Sequence, residues 1–329
     1  MENGKKLLRK ANLILLATAV IFLSYTAFFS EVIAGVGTPN VTVLTKLQVG
    51  NVYPEILNVS INDDAASITL SASTTVNVNC VAVIRDFNGE ADISNVNATF
   101  FDTAVSTING ADDNNYHYTN TSCALNNSFG SYNGYTDDAY KTLANCTFQV
   151  YYYANPSTWR CAVTVNDSVG WTDNSSDDIT IDQLLALGLP DTIDYGTVNA
   201  TEVSDENQTN VTNYGNVAVN LSLEGYAQTK GDGNAMNCTL GSVGNISIEH
   251  EKYNLTNSNP GTQTLAQANA NYTNLSSTAT VKFFNLTARQ NDVTNDAIKP
   301  SYWRIYVPKG VAGNCTGNII FGATTAAGT

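Results

Sequence analysis

Charge and imidazole are both scarce in this sequence. Charged residues fill 13% of its 329 positions, and there are two histidines, His117 and His250. That charged share is about half the usual one. A Ser-His-Asp site would need one of the histidines. Neither has a nucleophile-elbow sequence beside it, and there is no His-Glu-x-x-His helix. The acids are spread too evenly to single out a pair for glycoside hydrolysis. No two cysteines have C-x-x-C spacing, which removes support for a zinc or thioredoxin-type reading. Lys and Arg number 15 against 29 acids, for a net charge of -14. A body that acidic repels phosphate backbones and anionic lipid, which argues against a nucleic-acid partner. These absences point away from an enzyme.

One long apolar run is present, at residues 11–29, behind the basic cluster Lys5, Lys6, Arg9 and Lys10. Val32 and Ala34 satisfy the small-residue rule for cleavage after Ala34. Residues 1–34 therefore read as a signal peptide or membrane anchor, with prepilin-type processing near Lys10-Ala11 as a further route. Each exports the rest of the chain, and any membrane contact would come from this segment if it stays uncleaved. Removing it takes away four basic and two acidic residues and leaves -16. The expected location is extracellular, at the cell surface.

Six cysteines follow the signal, an even number that implies disulfides in an oxidising compartment. Cys80 shares a strand face with Val76, Val78, Ala82 and Ile84, and Cys161 shares one with Trp159, Val163 and Val165. Of the three pairings that four cysteines allow, the expected one joins Cys80 to Cys161 across two sheets and leaves Cys123 with Cys146. Cys238 and Cys315 remain for the second domain.

Asparagine is abundant, with 42 residues and 19 N-x-[ST] sequons. They begin at Asn40, Asn58, Asn97, Asn120, Asn126, Asn145, Asn166, Asn174, Asn199, Asn207, Asn210, Asn220, Asn237, Asn245, Asn254, Asn271, Asn274, Asn285 and Asn314. Chance at this Ser/Thr content gives roughly eight. In Leu57-Asn58-Val59-Ser60-Ile61, and again around Asn97 and Asn220, the sequon falls on the face opposite the apolar residues, where a glycan must sit. At Asn285, either Phe283 or Phe284 could face inward.

Strand signals dominate. The fold class is all-β: two immunoglobulin-like antiparallel β-sandwich domains after the N-terminal segment. Strands are expected at 41–49, 55–61, 67–72, 75–85, 93–101, 147–153 and 159–166, with an Asn88-Gly89 hairpin turn. Residues 102–143 read as a long loop, and 167–178 as polar linker. A short helix at 182–187 falls within a linker at 179–190. The first domain thus spans 35–178 and the second 191–329. The second holds a strand at 193–198, a hairpin of 209–212 and 217–223, and strands at 245–249, 279–287, 302–307 and 318–323.

Two clusters carry candidate chemistry. Asp86, Asn88, Glu90 and Asp92 place oxygens at alternate positions around a glycine, which resembles the start of a calcium loop without its final glutamate. The competing reading is a plain turn with solvated acids. Tyr116, Tyr118, Tyr132, Tyr135 and Tyr140 populate the 102–143 loop, where exposed rings could stack on sugars or anchor an interface. No other cofactor is indicated.

The segments IDYGTVN, VTNYGNVAVNLSLEG and YWRIYVPKGVAGNCTGNIIFGA resemble secreted surface proteins of small-genome archaea. NCVAVIRDFNGEADISNVNATFF and WRCAVTVNDSVGW resemble the PKD- or immunoglobulin-like modules of the same proteins. In outline the second domain is also similar to TasA- and camelysin-like fibre subunits and to donor-strand filament subunits. The resemblance covers most of 41–323 and implies tandem sandwiches at a cell surface. The expected function is a structural or adhesive surface glycoprotein, a filament or envelope-layer subunit whose detachable strand would be 35–49. Its partners would be copies of itself or other surface proteins. The alternative is a glycan- or protein-binding module acting through the loop, and a secreted hydrolase comes third.

Overall fold

The computed structural model describes residue 40, residues 42–290 and residues 297–326. The signal or anchor expected at 1–34 lies outside the described residues. The chain divides into two units, Met1–Gly50 and Asn51–Thr329. In the first, residues 42–50 form no strand, although one was expected at 41–49. Val43, Leu44, Leu47 and Val49 are 65%, 79%, 89% and 70% exposed. The apolar residues are those of a strand, but a strand exists only through its ladder.

The second unit holds two sandwiches. The first is built from β1 (Glu55–Ile61), β2 (Ser67–Ile68), β3 (Thr75–Arg85), β4 (Ile93–Asp102), β5 (His117–Asn120), β6 (Ala124–Asn126), β7 (Ser131–Tyr132), β8 (Tyr135–Thr136), β9 (Lys141–Tyr151), β10 (Thr158–Asp167) and β11 (Thr172–Ile181). One sheet has the order β1-β3-β9-β6, the other β2-β11-β10-β4-β5, and β7–β8 is a separate hairpin. This is immunoglobulin topology, with β3 and β10 as the B and F strands. Along β9 the inward Thr142, Ala144, Cys146, Phe148 and Val150 alternate with outward residues that are polar at Lys141, Asn145, Thr147 and Gln149, as a half-buried strand requires. Cys80–Cys161 joins β3 to β10 across the sheets. Cys123–Cys146 staples the residue before β6 to β9.

The second sandwich contains β12 (Leu187–Gly188), β13 (Asn207–Asn213), β14 (Val219–Tyr226), β15 (Asn234–Gly241), β16 (Asn245–Ser247), β17 (Glu251–Asn254), α1 (Leu265–Asn271), β18 (Thr273–Asn274), β19 (Thr280–Leu286), β20 (Ile298–Ile305), β21 (Val311–Thr316) and β22 (Asn318–Thr325). A five-stranded sheet, β12-β13-β20-β17-β18, packs against two three-stranded sheets, β19-β14-β22 and β16-β15-β21. Cys238 and Cys315 face each other on neighbouring strands β15 and β21 and form the third disulfide.

Several expectations are corrected. Residues 182–187 form no helix. They run extended into β12, because the backbone N–H of Leu184 is taken by the Asn216 side chain and the Leu184 carbonyl accepts from Asn216 N. The helix is α1, opened by a Thr264–Gln267 capping box. The polar stretch expected as linker is β11, which pairs with β10 over its whole length and buries only Ile179 and Ile181. The Asn88-Gly89 turn does not close a hairpin, since β3 and β4 belong to opposite sheets. Residues 213–216 likewise cross from one sheet to another. The 102–143 stretch carries four short strands rather than plain loop, and 193–198 forms no strand, with Gly196 at a φ of 67°. No helix among the described residues is long and apolar enough to cross a membrane.

Candidate functional site

At one end of the first sandwich the turns after β3 and β10 bring Asp86, Asp92 and Asp167 together. One carboxylate oxygen from each lies within 4.8 Å of those of the other two. Asp86 and Asp167 continue the inward faces of their strands: Asp86 follows Cys80, Ala82 and Ile84, and Asp167 follows Cys161, Val163 and Val165, all in one phase. The side chains are accordingly 0% and 2% exposed. Asp86 Oδ1 accepts from Asn88 N at 2.8 Å. Asp92 Oδ1 accepts from the Ser168 hydroxyl. Asp167 Oδ1 accepts from the backbone N–H groups of Val169, Gly170 and Trp171 at 2.7–2.9 Å, and its Oδ2 from Asn51 Nδ2 at 2.6 Å. Asp86 Oδ2 and Asp92 Oδ2 are buried with no hydrogen-bond partner. Burial raises the Asp86 pKa; the Asn88 N–H opposes this, and the negative charges of Asp92 and Asp167 add to it. Burial also pushes Asp167 upward, but its amide and backbone donors outweigh this and hold it below the usual carboxylate range.

This cluster differs from the loop read in the sequence. Glu90 is not part of it, because residues 90–92 close a 3-10 turn rather than an extended loop with alternate side chains inward. Asn88 Oδ1 accepts from Val52 N at 2.7 Å. Asp167 takes the vacant place, 75 residues beyond Asp92. Its signal was available in the sequence: an acid in phase with Trp159, Cys161, Val163 and Val165.

A second feature lies beside β22. Among the described residues β22 pairs on one side only, with β14. Alongside it is a cavity of about 330 Å³ lined by Leu189, Ile193, Tyr195, Glu251, Ile319 and Phe321. Glu251 is 2% exposed. Its Oε1 accepts from the Tyr195 hydroxyl at 2.9 Å, while Oε2 has no partner. Burial raises its pKa to about 7 against the opposing Tyr195 hydrogen bond. Nearby Arg304, fully buried, donates from Nη1 to Ser204 O and from Nη2 to Asn259 O and Gly261 O. The loops flanking α1 cover the face of β20 that carries Arg304, through Tyr272, Asn259 and Gly261.

The loop tyrosines do not form an exposed patch. Tyr118 is core, its ring against Trp159 and its hydroxyl donating to Asn114 O at 2.6 Å. Tyr132 donates to Asp63 Oδ1 at 2.9 Å, and Tyr135 to Leu57 O at 3.1 Å, which docks the β7–β8 hairpin on β1. Tyr116 is half-buried; Tyr140 is exposed and leans on Phe87. His117 is buried against Phe101 and bonded to Asp112, and His250 packs edge-on against Tyr306.

No sequon asparagine is buried; all 19 are half-buried or exposed. Among the described residues the buried asparagines are Asn115, Asn213 and Asn216, none of them in a sequon. At Asn285, Phe284 points inward and Phe283 is 68% exposed.

No family model matches the chain, and no curated protein matches it significantly. Among solved structures it is similar to a chain of a chaperone–tip adhesin complex of CFA/I fimbriae (11% identity over 84% of this chain and 92% of that one, TM-score 0.28). It is also similar to carbohydrate-binding modules of the β-sandwich superfamily (10%, 83% and 98%, TM-score 0.24). A third is the C-terminal domain of the Streptococcus pyogenes antigen I/II-family protein AspA (13%, 84% and 100%, TM-score 0.23).

Proposed function

We propose that this chain is an exported, N-glycosylated, non-enzymatic surface protein with a structural or adhesive role, and that its copies join by strand addition. The supporting observation is a pair of complementary features. Residues 43–49 carry exposed apolar side chains without a ladder, and β22 offers an unpaired edge beside an apolar-rimmed cavity. An extended segment that meets an open edge gains its backbone bonds from the sheet and its specificity from alternate side chains. In this reading residues 42–49 of one copy lie along β22 of the next.

Three disulfides fit an oxidising, extracellular setting. The accessibility of every sequon asparagine supports glycosylation. The sequence resemblance to secreted archaeal surface proteins supports the same location. The alternative of glycan binding through residues 102–143 has less to stand on, because its tyrosines are mostly engaged with the first sandwich.

The test is negative-stain electron microscopy with light scattering on mature protein from native surfaces. Regular fibres or sheets are expected, with loss of both on deleting residues 35–49. Monodisperse monomers, or polymers that persist after the deletion, would overturn strand addition.

A further inference from the structure

We propose that Asp86, Asp92 and Asp167 bind a hard divalent cation, with calcium the ion that fits, and that the bound ion locks the segment through which the chain enters the first sandwich. The inference does not depend on strand addition.

Three observations converge. The first is spacing. Calcium holds oxygens at 2.3–2.6 Å, so two ligands on opposite sides of one ion are at most about 5 Å apart; the three carboxylates meet within 4.8 Å. The second is unmet valence. Asp86 is 0% exposed, and its Oδ2, like that of Asp92, is buried without a hydrogen bond. A buried carboxylate oxygen left unpaired is costly, and proteins remove that cost with a proton, a donor or a metal. The third is charge. None of the three acids joins an ion pair among the described residues, and the neighbouring Arg85 is committed to Glu55 and to the Phe87 ring. The ligand set is all oxygen, on turns that allow mono- or bidentate approach. That suits calcium better than zinc, which favours nitrogen and sulfur, or magnesium, which demands a strict octahedron.

The position of the cluster suggests what the ion does. Asn51 donates to Asp167, Val52 N donates to Asn88, and the Tyr53 ring stacks on Trp171 with centroids 4.0 Å apart. Residues 51–53 are thus fastened to the same two turns that supply the carboxylates. An ion that draws the turns together fixes these contacts, and its removal leaves three carboxylates repelling one another under the segment they hold.

The experiment uses the full mature chain. After EGTA dialysis, calcium is titrated calorimetrically and Tm is followed at 1 mM Ca²⁺. Tb³⁺ emission is then read under tryptophan excitation, with Trp171, whose backbone N–H donates to Asp167, as the expected sensitiser. The expected result is saturable heat, a Tm rise of about 5 °C and Tb³⁺ emission displaced by calcium. Asp92→Asn, which keeps an oxygen for Ser168, should weaken binding at least about tenfold. Asp86→Asn serves as the second variant if Asp92→Asn folds poorly. Three results would overturn the assignment: wild-type protein with no heat, shift or emission, whose carboxylates then share a proton; an equal Tm rise in 1 mM Mg²⁺; or an undiminished calcium response in the folded variants. Fibre formation is scored separately, so loss of strand addition leaves this result standing.

Discussion

The two sandwiches solve the same packing problem differently. The first arranges its strands in the immunoglobulin order, in two open sheets that end in β1 and β6 and in β2 and β5, and ties them with a disulfide through the core. Its core cluster is apolar, and the polar side chains it buries (Ser60, Asp86, Asp102, Asn115, His117, Thr142 and Asp167) include no lysine or arginine. The second divides one face into two small sheets and places its disulfide between neighbours within one of them. It buries Glu251, Lys252 and Arg304 and leaves the β22 edge unpaired. A sandwich that keeps charged groups inside and an edge open retains the polar anchors and unused backbone bonds that another strand could satisfy. If copies join by strand addition as proposed, the exchanging strand belongs to the second sandwich, and the first is expected to be the more stable of the two.

The largest effect that tests this contrast comes from the disulfides. Cys80–Cys161 closes 81 residues and Cys238–Cys315 closes 77, so chain entropy alone gives about 4.5 kcal/mol for each. The Cys80 and Cys161 side chains are 0% exposed and join opposite sheets, so their removal also opens a cavity. Cys238 and Cys315 sit on strands already joined by their ladder. Urea unfolding should therefore show Cys80→Ala/Cys161→Ala losing more than Cys238→Ala/Cys315→Ala. Equal losses would break the contrast.

Glu251 sharpens it through pH. Its carboxyl has a pKa of about 7 when folded, against an ordinary value of 4.5. The folded state therefore binds the proton more tightly than the unfolded state does. This favours folding at pH 4.5 and below, and the advantage is lost as pH rises through 7. The loss is about 3 kcal/mol once both states are ionised. Thermal melts should show wild-type protein losing stability between pH 5 and pH 8, with Glu251→Gln losing distinctly less. Parallel profiles for the two proteins would show that Glu251 is ionised throughout.

The sequence carried the alternation of β1, β3, β10 and β19, and with it the fold class and the inward phase of Cys80 and Cys161. It misled wherever one local signal serves two geometries. Asn88-Gly89 is a hairpin signature, but here the turn passes between sheets because both flanking strands have a buried face on the same core. Thr172–Ile181 lacks apolar residues over most of its length because its ladder to β10, rather than burial, holds it in place. Two of the three clustered acids were already in phase with the core. Alternate spacing picks out Asp86 and Asp92 but misses Asp167, which comes 75 residues after Asp92, on a turn that only the fold brings beside them.

The smallest effect concerns what joins the two sandwiches. Asn216 is 5% exposed. Its Nδ2 donates to Ala154 O and Asp182 O, and its Oδ1 accepts from Leu184 N at 2.7 Å. Beside it, a Cβ on Gly215 would lie 2.2 Å from Leu184 O, so the turn needs glycine for close approach rather than for a special dihedral. Tyr214 adds an edge contact to Tyr152. The turn in the sequence VTNYGNV thus reaches back into the first sandwich. Asn216→Ala leaves one N–H and two carbonyls short of a partner, a loss of about 1–3 kcal/mol. Because those groups lie between the cores, calorimetry should show the transition broadening or splitting, with the first sandwich melting last. A single sharp transition merely shifted to lower temperature would mean that the two sandwiches unfold as one cooperative body, and that the division between stable and exchanging halves is one of geometry alone.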